Sequence, residues 1–147
     1  MRLLSRQTLD VLYNLTVRSL IDYALPVYGN ELKKAELAQL DNLQYRAAKL
    51  VTGCYHLTNK DKINKELGWE TIQQRCNILC LNFFHKIHLH ETRPLIRSCM
   101  PKPDIEKKYI MRSKGGYIPF KQTRYKFDKS FFPHSSIIWN NLPSDVR

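Results

Sequence analysis

Apolar residues recur along this chain mostly at intervals of three and four, the spacing that gathers them on one face of a helix. Over residues 6–24, Leu9, Leu12, Tyr13, Leu20, Ile21 and Ala24 follow it, and Pro26 with the Gly29-Asn30 pair predicts a stop and a loop. A second helix is expected over 31–51. In it Leu40, Leu43, Ala47 and Leu50 form a buried stripe, while Asn42, Arg46 and Lys49 step along another face as a polar, basic ridge. Gly53 is placed as its C-terminal cap. Asn59 or Asp61 can cap a short helix containing Ile63 and Leu67 and ended by Gly68. The clearest periodicity follows, in Ile72, Cys76, Leu79, Cys80, Phe83, Ile87 and His90. It predicts a helix of about twenty residues with a broad apolar face.

A short helix is expected near 94–100, before Pro101 and Pro103 interrupt the chain. Beyond Tyr109 the character changes. Tyr117-Ile118 and Arg124-Tyr125-Lys126-Phe127 have strand composition beside the Gly115-Gly116 turn signal, which predicts a small β-hairpin. A helix over 133–140 follows, with Pro133 in its first turn. The fold expected is mainly α, a bundle of about four to five helices with a small β-hairpin near the C-terminal end. A helical domain over 1–100 and a basic, aromatic segment over 101–147 are its expected parts.

Charge sharpens this picture. Against 13 Asp+Glu stand 24 Lys+Arg, a formal net charge of +11 that favours polyanionic partners, nucleic acid first. Residues 101–130 carry Lys102, Lys107, Lys108, Arg112, Lys114, Lys121, Arg124, Lys126 and Lys129, opposed only by Asp104, Glu106 and Asp128. Aromatics are interleaved with them at Tyr117, Tyr125, Phe127, Phe131, Phe132 and Trp139. Cations could neutralise phosphates while rings stack on bases, although Phe132 and Trp139 read first as packing anchors. No apolar run is long enough for a signal peptide or a spanning helix, so a soluble, intracellular protein, cytoplasmic or nuclear and not secreted, is expected. Cys54, Cys76, Cys80 and Cys99 are then expected as free thiols.

Candidate catalytic chemistry is thin. Cys76, Cys80, His85, His88 and His90 crowd together, but on one continuous helix such ligands separate by about 1.5 Å per residue, and both cysteines fall within the apolar stripe. Core packing accounts for them better than zinc. Cys54 and His56 lack an orienting partner. Lys114-Gly115-Gly116 lacks the phosphate-loop pattern. Two-metal polymerase chemistry needs clustered carboxylates, and Asp10, Asp22, Asp41, Asp61, Asp104, Asp128 and Asp145 stand singly. No catalytic residue, metal or cofactor is expected, and no enzyme activity.

Several stretches nevertheless resemble a known family in order and spacing. Leu12-Tyr13, Val17-Arg18-Ser19 and Asp22-Tyr23-Ala24 are followed by Pro26-Val27-Tyr28-Gly29. Then come Leu40-x2-Leu43-Gln44-x-Arg46-Ala47-x2-Leu50-Val51-Thr52-Gly53 and Glu66-Leu67-Gly68-Trp69. Tyr117-Ile118-Pro119, Lys129-Ser130-Phe131-Phe132-Pro133 and Trp139-Asn140-x-Leu142-Pro143 close the series. Together they are similar to the region after the polymerase palm in non-LTR retrotransposon (LINE-type, jockey-like) reverse transcriptases. A tryptophan commonly stands there in place of Tyr28, and neither the palm's Asp-Asp motif nor the family's endonuclease has a counterpart in this sequence.

The resemblance implies a thumb-like helical part and a post-thumb tail from the C-terminal region of an RNA-directed DNA polymerase. It implies that helix faces and basic loops grip RNA or a template–primer duplex without catalysis. Carried onto this chain, that points to Arg46, Lys49, Lys107, Lys108, Arg112, Lys114, Lys121, Arg124, Lys126 and Lys129. The other reading from the same residues is a protein-interaction module or structural remnant whose apolar first helix seeks a polymerase palm or another protein.

Overall fold

Ser5 starts the first helix by accepting a hydrogen bond from the Thr8 backbone N–H, so one of the orphan donors of the N-terminal turn is satisfied locally. The computed structural model describes residues 4–54, 58–89, 91–102, 116–118, 120 and 125–143. Helix α1 (Arg6–Tyr13) widens into a π-helical turn over Asn14–Arg18 and resumes as α2 (Ser19–Asp22). Tyr13, Ile21 and Leu25 are buried and Val17 half-buried, a strict step of four. In a regular α-helix such a stripe drifts by about 40° per step, and one wider turn offsets the drift. Pro26 does not stop the segment as expected. It sits early in a short α3 (Leu25–Tyr28), where its missing N–H costs nothing, and the turn comes at 29–31.

Helix α4 (Lys34–Thr52) begins with the Glu36 carboxylate accepting from the Lys33 backbone N–H at 2.8 Å and ends at Gly53 in the left-handed conformation (φ 73°). Asn59 caps α5 (Lys60–Leu67) through the Asp61 N–H at 2.8 Å, and Gly68 (φ 67°) ends it, both as expected. Helix α6 spans Ile72–His88 and α7 spans Pro94–Ser98. Then come α8 (Tyr125–Asp128) and α9 (Phe131–Asn140). The fold is therefore mainly helical, and no helix among the described residues is long and apolar enough to cross a membrane.

No hairpin is present among the described residues. Tyr117 makes an isolated bridge and Tyr125–Phe127 lie in a helical turn. Local strand composition loses there to the continuation into α9, while Gly115 and 121–124 lie outside the described residues.

Two compact units emerge. The first comprises residues 1–25 and 32–76. Its core joins Tyr13, Ala48, Val51, Ile63 and Trp69, with Leu9, Val17, Tyr45 and Leu67 packed around them. Buried polar groups tie it together. Gln44 Nε2 donates to the Glu70 carbonyl at 2.8 Å, Asp41 accepts from Ile72 N, and Tyr45 donates its hydroxyl to the Thr58 carbonyl. Arg75 binds Asp22 through two nitrogens, at 2.8 and 3.1 Å, which holds the guanidinium more firmly charged. Arg18 meets Glu70 in the same unit.

The α4 stripe departs from expectation. Gln44, Ala48 and Val51 are buried, whereas Leu43 and Leu50 are exposed, Leu50 by 72%. Both sets satisfy helical spacing, and the hydrogen bond from Gln44 belongs only to the observed one.

The second unit comprises residues 26–31 and 77–147, so 77–100 group with the tail instead of parting from it at 100/101. The physical reason is its core. Phe84 of α6 meets Tyr117 edge-on at 5.2 Å and Trp139 at 5.5 Å, with Leu81, Met100, Phe131, Phe132 and Leu142 packed outside. Asn140 clamps the backbone of Tyr117 from both sides, donating to its carbonyl at 2.8 Å and accepting from its N–H at 2.9 Å. The Trp139-Asn140 pair is thus an anchor for Tyr117. Burial raises the Tyr117 phenol above its ordinary range, and its hydroxyl meets His88 Nδ1.

Candidate nucleic-acid interface

Helix α4 presents Asn42 and Arg46 on its exposed side, one turn apart, because Gln44, Ala48 and Val51 occupy the buried face. Arg46 pairs with no described carboxylate and is free to reach an anion. Lys49 is half-buried. Its ammonium lies 4.5 Å over the ring of Tyr45, and the Tyr45 hydroxyl is itself fixed on Thr58. The ring restrains Lys49 and partly occupies its charge. Exposed Leu43 and Leu50 flank Arg46, so the ridge is mixed in character.

Of the tail cations, Lys126 lies within α8, and Lys129 is half-buried between α8 and α9. Lys107, Lys108, Arg112, Lys114, Lys121 and Arg124 lie outside the described residues. Among the described residues the structure therefore places Arg46 and Lys49 on one helix.

Three exposed cations escaped sequence reasoning, Lys86 in the last turn of α6 and Arg93 and Arg97 about α7; Lys102, counted with the basic tail, is exposed as well. None pairs with a described carboxylate. They stand singly rather than in a run; the available signal was the scarcity of acids around them. Over residues 26–31 and 77–147 there are thirteen Lys+Arg against six Asp+Glu, so +7 of the net charge belongs to the second unit. In the first unit, by contrast, Arg6, Arg18, Lys60 and Arg75 are engaged with Glu66, Glu70, Asp41 and Asp22.

The carboxylates are equally committed. Asp10 accepts from Trp69 Nε1 at 3.0 Å, Asp22 holds Arg75, and Asp41 caps Ile72. Cys76 and Cys80 are buried with their thiols toward the Leu25 and Pro26 carbonyls. Among the described residues no three His, Cys, Asp or Glu side chains are grouped to hold a metal.

Comparison with protein-family models, with curated proteins and with solved structures yields no match.

Proposed function

We propose that this chain is a non-catalytic nucleic-acid-binding segment, of the kind that follows the polymerase palm in LINE-type reverse transcriptases. It grips the phosphate backbone of RNA or of a template–primer duplex with little sequence preference. The observation that carries this reading is the charge of the second unit, whose exposed Lys86, Arg93, Arg97 and Lys102 have no described carboxylate partner. Arg46 adds a cation of the same kind in the first unit. Three aspartates of the first unit, Asp10, Asp22 and Asp41, are each bound within the fold, which supports a non-catalytic role. Binding of the purified chain to single-stranded RNA and to duplex, at low and at raised salt, tests it.

A second reading rests on a separate observation. Leu12, Leu15, Leu20 and Tyr23 of the first helical segment are exposed, Leu20 by 78% and Tyr23 by 90%. A protein partner would cover such a face. Substituting Leu12 and Leu20 on one side, and Lys121 with Arg124 on the other, separates the two readings. Self-association that responds only to the leucine changes, with no loss of RNA binding in the cation variants, favours the protein partner.

A further inference from the structure

Ile118 N donates to the Lys102 carbonyl at 2.9 Å, which sets these two residues side by side. In sequence, Lys107, Lys108, Arg112 and Lys114 stand between them, and Lys121 and Arg124 follow. Around this contact Met100, Pro101, Lys102, Ile118 and Phe120 line an open groove of about 240 Å³. The lining is apolar and aromatic, with one exposed lysine at its rim. Phe120 is braced edge-on by Phe127 at 5.5 Å. The volume equals that of roughly eight liquid waters, room for one planar heterocycle.

We infer that this groove takes one unpaired base of a single-stranded nucleic acid, stacked against Phe120, while Lys102 meets the adjoining phosphate. This deepens the proposed function and rests on it. The charge decides the occupant. An apolar slot with the exposed Lys102 at its rim suits a ligand that is flat and apolar at its centre and anionic at its edge. A base on its phosphate backbone has that form. A base inside a duplex keeps its faces covered by its neighbours, so the groove discriminates by strandedness rather than by sequence.

The test measures binding of a 12-nucleotide single-stranded RNA and of the matching duplex, by fluorescence anisotropy, to the whole chain and to Phe120→Ala, Phe120→Trp and Ile118→Ala. Phe120→Ala is expected to weaken the single strand about tenfold and leave the duplex unchanged, while Phe120→Trp retains affinity. Ile118 is exposed, so Ile118→Ala preserves the fold, and it should cost several-fold on the single strand alone. Equal losses on both strands, or none in Ile118→Ala and Phe120→Ala, overturn the groove while leaving backbone binding standing. Failure of the unaltered chain to bind either strand removes both.

Discussion

Trp69 lies flat against Tyr13, their ring centroids 4.3 Å apart and their planes 19° apart, at the centre of the first unit. The indole also donates to Asp10, so one side chain both fills the core and satisfies a half-buried carboxylate. Trp69→Ala is expected to destabilise by about 3–5 kcal/mol, because it opens a cavity and leaves Asp10 with the Asn14 amide but without the indole donor. Trp69→Phe keeps much of the packing but not the donor, and should cost less. Urea unfolding of the two variants checks the order.

Phe84 plays the corresponding part in the second unit, fully buried against Tyr117 and Trp139. Phe84→Ala should cost about 3–5 kcal/mol by urea unfolding, whereas Phe83→Ala, at a 38%-exposed position next to it, should cost far less. Reversal of that order would mean that α6 is rotated from the face described.

The face of α4 yields a sharper comparison. Val51→Ala removes buried methyl groups and should cost about 2 kcal/mol, while Leu50→Gln at the exposed neighbouring position should stay within about 0.5 kcal/mol. Thermal melts of both variants decide whether Gln44, Ala48 and Val51 or the leucines face the core.

Two groups make stability pH-dependent with the same sign. Burial lowers His134 below its ordinary 6.5, so the unfolded chain takes up a proton that the folded one resists. Stability is full above 6.5 and falls as pH drops through the lowered folded value. Glu70 is lowered from 4.5, first by a backbone hydrogen bond and then by Arg18, and its contribution is lost only at more acid pH. His134→Gln should flatten the stability profile just below pH 6.5, and Glu70→Gln should flatten it below 4.5. Denaturant midpoints measured across that range check both.

What the amino-acid pattern revealed follows from how local each device is. Gly53, Gly68 and Asn59 act within one turn of their own helices, and their roles were readable from neighbouring residues. The buried face of α4 was not, because Gln44 is drawn inward by a carbonyl twenty-six residues away and Leu50 is passed over. The wide turn at Asn14–Arg18 leaves no compositional trace, and Tyr125–Phe127 have strand chemistry but helical geometry. Of the candidate interface, Arg46 was legible as an exposed cation on a helical ridge. The engagement of Lys49 by Tyr45 and the dispersed Lys86, Arg93 and Arg97 were hidden, the first by a ring contact and the others by their isolation.

Arg46 also offers a local probe of the proposed surface. Arg46→Ala leaves the core untouched, so its melting temperature should match that of the unaltered chain. Its affinity for RNA should fall uniformly across sequences, with the salt slope reduced by about one.

The central claim is that phosphate contacts dominate binding, and the dependence of RNA affinity on salt tests it most directly. Titrating the whole chain with single-stranded RNA from ~50 to ~200 mM salt should show affinity falling at least tenfold, linearly in log–log form. Absence of binding at ~50 mM, or an affinity indifferent to salt across that range, would contradict it.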